Sequence, residues 1–134
     1  MEIKDLIGFQ LAEINDSEIK LKKGDKTFTL SIIDSCEEEQ LCCEYNDITA
    51  NLLISEEELS RNPIITDITI DRKEINIDGE TDPCGQTCTV VFFGEEKNIA
   101  KVETTSSSSS WWQYGACASV KCKELDLNEV LSEW

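Results

Sequence analysis

Two short cysteine-rich segments constrain this chain more than any other feature of its sequence. The first, from Cys36 to Cys43, reads CEEEQLCC, and the second, from Asp82 to Cys88, reads DPCGQTC; together they hold five of the seven cysteines. The chain contains no histidine, so a metal bound here would have only thiolate or carboxylate ligands. A shared metal or a crosslink would therefore tie two distant parts of the chain together.

The spacing of these cysteines favours a structural zinc ion. Cys84 and Cys88 are separated by three residues, within the range of about two to four that is typical of paired zinc ligands, and Gly85 allows a tight turn between them. A closed shell of four thiolates would stabilise the fold rather than catalyse a reaction. Buried free thiols, and a disulfide or redox pair, are the alternatives. The second pair of ligands would come from Cys36, Cys42 and Cys43.

The charge distribution indicates the kind of partner. The chain has 28 acidic and 12 basic residues and a formal charge of −16. Two runs, Asp34 to Glu58 and Glu74 to Glu96, contain no basic residue, and each includes one of the cysteine segments. Such a protein is repelled by DNA, RNA and anionic membranes, so we expect a basic protein partner; a merely solvated face is the alternative. The predicted contact carboxylates are Glu37, Glu38, Glu39, Glu56, Glu57 and Glu58.

Length and hydropathy predict one small domain without membrane contact. At 134 residues and 15.1 kDa, residues 1–134 are expected to form a single domain and a monomer. No run approaches the roughly 18 apolar residues of a membrane span, and the first residues are not those of a signal peptide. We therefore expect a cytoplasmic protein, whose thiols stay reduced and available to a metal.

Strand patterns dominate the chain around one predicted helix. The alternation in Glu18–Lys22 and the β-branched run Thr27–Ile33 predict, with Phe9–Ile14, a three-stranded antiparallel meander. Asn46-Asp47 is predicted to cap one main helix between residues 47 and 61, and residues 124–134 could form a short C-terminal helix. The expected fold class is α+β, an antiparallel sheet of about six or seven strands. Further strands are predicted at residues 64–77, 87–93, 99–104 and 116–122.

One ambiguity decides whether the cysteines can meet. If residues 64–77 form a single strand, alternating strand directions place six of the seven cysteines at one end of the sheet. If Asp71–Glu74 is instead a hairpin turn, Cys84 moves to the other end and the metal site fails. Cys117 and Cys122 are interpreted mainly as packing residues on the last predicted strand, with Cys117 as a reserve ligand. The six cysteines are Cys36, Cys42, Cys43, Cys84, Cys88 and Cys117.

A serine run and an aromatic cluster follow the sixth predicted strand. Ser106–Ser110 consists of five serines, which predicts a flexible loop too polar to be buried. Trp111, Trp112 and Tyr114 come directly after it, and Trp111 and Trp112 are candidate partner-binding residues, because aromatic side chains dominate interface energetics. The alternative is that they cover one end of the core.

The sequence predicts no enzyme. The spacing of Cys84 and Cys88 is one residue too long for a thioredoxin-type redox motif, and no histidine is present to activate a thiol. Carboxylates are so frequent that no pair stands out as a general acid and base. A thiol enzyme or a metal-dependent enzyme would need an activated cysteine or an open coordination position.

Several segments resemble a family of small uncharacterised domains of bacteria and their phages, over about Ile7 to Cys122. The extra cysteines and the acidity look more like a zinc-binding phage anti-CRISPR protein directed at the type II RNA-guided nuclease. That resemblance implies an inhibitor in the cytoplasm of a bacterial host; a bacterial housekeeping or stress domain with a structural metal is the alternative. The segments that carry the first resemblance are Leu41–Glu44, the predicted Ile48–Leu53 helix, Asn62–Ile65, Thr89–Phe93 and the predicted strand Ile99–Thr104.

The physics of such a target agrees with the charge of this chain. RNA-guided nucleases hold nucleic acid in strongly basic channels. A folded domain with carboxylate-only surfaces can occupy or shield such a channel. Electrostatic attraction between the two acts over a long distance, and added salt shortens that distance. The expected mode of action is therefore a steric and electrostatic block of nucleic-acid use.

Overall fold

The computed structural model describes residues 1–33, 45–75, 85–107 and 117–133, and every structural statement below refers to them. In this part of the chain a single turn of α-helix, α1 (Glu56–Leu59), and a short 3-10 helix (Ile3–Leu6) accompany nine β-strands. The strands are β1 (Gln10–Ile14), β2 (Glu18–Lys23), β3 (Lys26–Ile33), β4 (Tyr45–Leu52), β5 (Asp67–Ile75), β6 (Gly85–Phe93), β7 (Asn98–Ser107), β8 (Cys117–Cys122) and β9 (Leu127–Glu133).

The strands form two antiparallel sheets that pack against each other. One sheet has the order β1-β2-β3-β8-β9, and the other has the order β4-β7-β6-β5. The predicted meander is confirmed, because β1, β2 and β3 are consecutive neighbours. Side chains alternate between core and solvent: Ile19 and Leu21 of β2 face Val90 and Phe92 of β6 within one apolar cluster.

The predicted main helix between residues 47 and 61 is wrong. Tyr45–Leu52 forms β4, which pairs with β7 along its whole length, and only Glu56–Leu59 is α-helical. The predicted short helix at residues 124–134 is also wrong, because Leu127–Glu133 forms β9. The fold is therefore mostly β, and the α+β prediction is corrected.

The misassigned helix has a physical explanation in β4. Ile48 and Leu52 are four residues apart, as on one helical face, but Ile48, Ala50 and Leu52 also alternate, as on one face of a strand. A short apolar segment cannot be assigned by periodicity alone, and pairing with β7 buries this face. The helix starts later, where the Ser55 hydroxyl accepts a hydrogen bond from the Glu58 N–H and the Ser55 N–H donates one to the Glu58 carboxylate.

A β-bulge explains the same error in β9. Leu127 and Leu131 are buried and four residues apart, which imitates a helical face. The register with β8 shifts between Ala118 and Ser119, so Leu131 is an extra residue in the ladder and its side chain turns into the core. Trp134, the last apolar residue of the predicted helix, lies outside the described residues.

The continuity of β5 decides the ambiguity in residues 64–77. Asp67–Ile75 is one strand and pairs with β6 from Phe93 to Gly85 without a register shift, so Asp71–Glu74 is not a hairpin turn. The single-strand alternative is correct. As a consequence, the chain segments that contain the cysteine-rich motifs are attached to strand ends at the same end of the two sheets.

Candidate functional site

One end of the molecule, here called the cysteine end, gathers the strand ends that flank the cysteine-rich intervals. Ser107 pairs with both Tyr45 and Gly85, and Gly85 pairs with Ile75. In the other sheet, Cys117 pairs with Glu133. The Glu133 N–H donates a hydrogen bond of 3.1 Å to the Gln86 Oε1 atom, which joins the two sheets. The cysteine end comprises Ile33, Tyr45, Ile75, Gly85, Ser107, Cys117 and Glu133.

The sequence intervals that begin and end here carry much of the acidity. Residues 34–44 and 76–84 contain eight of the 28 acidic residues and none of the 12 basic ones, which is half of the formal charge of −16. Nine of the predicted site residues lie outside the described part of the chain. They are Cys36, Cys42, Cys43, Cys84, Glu37, Glu38, Glu39, Trp111 and Trp112.

Beneath the cysteine end the core changes from apolar to hydroxyl side chains. Thr104, Ser106 and Ser132 are at most 1 % exposed. The Ser132 hydroxyl lies 2.7 Å from the Thr104 hydroxyl and 2.8 Å from the Ser106 hydroxyl, and the Ser106 hydroxyl also donates to the Ser132 carbonyl. These bonds satisfy buried polar groups that would otherwise destabilise the core. Ser106 is therefore a buried strand residue, and its assignment to a flexible serine loop is wrong.

Cys88 lies within β6, inside the strand predicted at residues 87–93. Its side chain is 1 % exposed and belongs to the apolar core, and the thiol is free. Burial raises the pKa of Cys88 to about 11, although the nearby Arg72 charge acts in the opposite direction. At neutral pH this thiol is protonated, so it is not an activated nucleophile.

The other described cysteines differ from each other. Cys122 is free and buried on β8, as predicted for a packing residue. Cys117 is partly exposed at the start of β8 and is disulfide-bonded, which differs from the expectation that the thiols stay reduced. In the described ranges no group of three or more cysteines and carboxylates could hold a metal. The zinc site therefore remains a prediction about residues beyond those ranges.

Arg72 joins the two sheets at the bulge of β9. Its Nε and Nη2 atoms donate hydrogen bonds of 2.8 and 2.9 Å to the carbonyls of Leu131 and Val130. Nη2 also lies 3.4 Å from a Glu129 carboxylate oxygen, and the other oxygen of Glu129 accepts the Ile3 N–H at 2.8 Å. Arg72 thus donates hydrogen bonds to two neighbouring carbonyls at the bulge, where Leu131 is the extra residue. No sequence signal indicates this role, which depends on the register of β9.

The predicted contact residues Glu56, Glu57 and Glu58 lie at the opposite end, here called the hairpin end. This end comprises α1 and the turns 24–25, 94–97 and 123–126. Glu57 forms an exposed ion pair with Arg61. A hydrogen bond from Lys97 holds the pKa of Glu58 below its usual value, and the Ser55 N–H acts in the same direction. Because β4 spans roughly 25 Å, these carboxylates lie far from the end of β4 to which residues 34–44 attach.

Comparisons with protein-family models, with curated proteins and with solved structures find no match for this chain. Both resemblances described above therefore stay predictions. In the described part of the chain no helix is long and apolar enough to cross a lipid bilayer.

Proposed function

We propose that this protein is an acidic binding module that docks its cysteine end on a basic protein, and that it acts as an anti-CRISPR inhibitor of the type II RNA-guided nuclease. The nuclease is proposed because its nucleic-acid channel is strongly basic. Inhibition follows from occupation of that channel, without a chemical step.

The observation that carries the proposal is that the strand ends flanking two acidic intervals converge at one end of the molecule. Strand directions bring the attachment points of residues 34–44 and 76–84 to the cysteine end, and these intervals contain only acidic charges. The described carboxylates of Asp47, Glu74 and Glu133 are exposed close to the same end. Like charges concentrated on one surface produce a field that attracts a basic partner and orients it.

A structural zinc is the proposed means of holding the intervals together. Once the disulfide of Cys117 is reduced, thiolates of Cys36, Cys42, Cys43 and Cys84 would be sufficient for one tetrahedral shell, and the buried thiol of Cys88 then serves the core. Binding a divalent ion would also offset part of the repulsion between neighbouring carboxylates.

Elemental analysis tests the zinc. Protein prepared with zinc and a reductant should contain about one zinc per chain, Cys84→Ser should lose it, and the matched variant Cys122→Ser should retain it. A metal-free wild-type protein would exclude the zinc. Retention of zinc by Cys84→Ser together with its loss in Cys88→Ser would exclude the ligand set proposed here.

Binding to the purified type II nuclease, measured by biolayer interferometry at increasing salt, tests the function. Glu37→Gln, Glu38→Gln and Glu39→Gln together should weaken binding about tenfold or more at low salt. The control is Glu56→Gln, Glu95→Gln and Glu96→Gln together, which removes the same charge from exposed residues of the hairpin end. At about 0.15 M salt we expect this control to change affinity by less than about threefold, because screening there limits the range of exposed charges to roughly 8 Å.

Two results would contradict the proposal. The first is the absence of a complex with the nuclease even at low salt. The second is an equal loss of affinity in both triple variants, since binding would then follow the total charge rather than the cysteine end.

A further inference from the structure

Three of the four sheet edges in the described part of the chain are protected against pairing with another strand. The edge of β1 is covered by the residues that precede β5 in the chain. There the Leu11 N–H donates to the Pro63 carbonyl and the Ile65 N–H donates to the Phe9 carbonyl. The edge of β9 has a bulge covered by Arg72. The edge of β5 carries four consecutive charged residues, 71–74. These are usual ways to prevent aggregation through strand edges.

The edge of β4 is protected over only half of its length. The Ala50 N–H points away from β7 and donates a hydrogen bond of 2.7 Å to the Asp16 carboxylate in the β1–β2 turn. Outward and inward N–H groups alternate along an antiparallel edge strand. The backbone N–H groups of Ile48 and Asn46 therefore also point outward, and among the described contacts they have no partner comparable to Asp16. This half contains no lysine, no proline and no bulge.

The side chains beside this open edge are acidic. Asp47 is exposed on the outer face of β4. Glu103 of β7 pairs with Thr49 and is also exposed, and its carboxylate is partly neutralised by Lys101 at 3.3 Å. A strand with a basic residue opposite Asp47 would gain a favourable cross-strand pair. A second copy of this chain would oppose Asp47 with Asp47 and add a second net charge of −16, which disfavours self-association.

We propose that the outer edge of β4, from Asn46 to Ile48, binds an extended segment of the basic partner as an added strand. The inference rests on the proposed function and specifies how the partner is held. Backbone hydrogen bonds to Ile48 and Asn46 would supply affinity, and a lysine or arginine facing Asp47 would supply selectivity. The edge adjoins the cysteine end, since β4 begins at Tyr45, so electrostatic attraction and strand addition act on one continuous surface.

Amide hydrogen exchange of the whole protein, followed by NMR, tests this site. In the free protein the Ile48 amide should exchange much faster than the Ala50 amide, which is bonded to Asp16. A capped peptide of about seven alternating lysine and valine residues should slow exchange at Ile48 by about tenfold at saturation. The same peptide with glutamate in place of lysine should have no effect.

Substitutions distinguish peptide binding at the edge of β4 from general electrostatic attraction. Asp47→Lys should weaken peptide binding about tenfold, whereas Glu96→Lys, the same change of charge at the hairpin end, should change it less than about twofold. Ile48→Pro removes an outward N–H group and the side chain that packs against the core. The ladder with β7 keeps all its hydrogen bonds, and peptide binding should be lost.

Protection of the Ile48 amide in the free protein, or no slowing with the lysine peptide, would overturn the inference. Equal effects of Asp47→Lys and Glu96→Lys would also overturn it. Binding of the nuclease without slower exchange at Ile48 would overturn strand addition and leave the proposed function intact. Absence of nuclease binding despite protection by the peptide would contradict the proposed function alone.

Discussion

The two ends of the molecule are built on different principles. The hairpin end consists of short turns such as Gly24-Asp25 and of the single helical turn α1, and its charges form pairs, including Lys97 with Glu58 and Arg61 with Glu57. The cysteine end is where longer intervals attach, and residues 34–44 and 76–84 contain no basic residue that could pair with their carboxylates. One end therefore closes the fold with short turns and paired charges, and the other is the end at which we propose that a partner binds.

The difference also appears in the interior. Apolar residues such as Phe92 and Ala100 fill the core towards the hairpin end, whereas Thr104, Ser106 and Ser132 fill it beneath the cysteine end. Hydroxyl groups need specific partners, so they fix the position of β7 in one sheet relative to β9 in the other. These hydrogen bonds would hold the strand ends of the cysteine end in place without much stabilisation from buried apolar side chains.

The two ends should differ most in how much a glycine-to-alanine substitution lowers the free energy of unfolding. A Cβ atom on Gly85 would lie 2.7 Å from the Ser106 carbonyl oxygen and from the Ser107 Cβ atom, so Gly85→Ala should lower the free energy of unfolding by about 3 kcal/mol. Gly24→Ala meets no atom within 4 Å but has a positive φ of 64°, and should cost only about 1 kcal/mol.

Urea unfolding followed by tryptophan fluorescence measures both variants. Equal destabilisation would show that the close approach at Gly85 relaxes freely, and it would remove the distinction between a tightly packed cysteine end and an open hairpin turn.

Alkaline pH should destabilise the cysteine end through Cys88. Its pKa is raised from 9.0 to about 11, so the stabilisation is fully present below pH 9 and is lost as the pH rises through 11. We expect a loss of about 2 kcal/mol by pH 11, which Cys88→Ala should abolish. Thermal unfolding at pH 8 to 11 measures it, and identical pH profiles of the variant and the parent would refute the prediction.

Acid should have the smallest effect, and it acts at the hairpin end. The pKa of Glu58 is held below its usual value of 4.5, so its contribution is present above pH 4.5 and is lost as the pH falls through the lower, folded value. Because Glu58 is exposed to solvent, Glu58→Gln should change the unfolding temperature only slightly. The change should be seen only at pH values above the range in which Glu58 becomes protonated. A large change would mean that the Lys97 pair is better shielded than its exposure indicates.

Much of the sheet could be predicted from the sequence, because strands β2, β3, β6 and β7 alternate clearly or are rich in β-branched residues. β4 and β9 could not, since a four-residue spacing of apolar side chains also fits a helix, and only tertiary pairing or a bulge decides between the two. The convergence of the strand ends could be predicted only if residues 64–77 were taken as a single strand rather than as a hairpin.

The candidate site was less accessible to sequence reasoning. The run of acidic residues from Asp34 to Glu58 appeared to be one surface, but β4 places Glu56–Glu58 at the far end of the molecule. Cys88 appeared to be a metal ligand because Gly85 suggested a turn, whereas Gly85 begins a strand and its missing side chain admits the neighbouring β7 backbone. The role of Asp16 follows only from its position beside Ala50 in three dimensions.

The attachment of the first residues has a practical consequence for experiments. The Met1 amino group lies 3.3 Å from the Asp126 carbonyl, and the Ile3 N–H is held by Glu129, so the start of the chain is fastened beside the turn between β8 and β9. A sensor surface or affinity resin linked through residue 1 would therefore leave the cysteine end facing the solution. The same linkage placed after β9 would bring the support close to the surface that is to be measured.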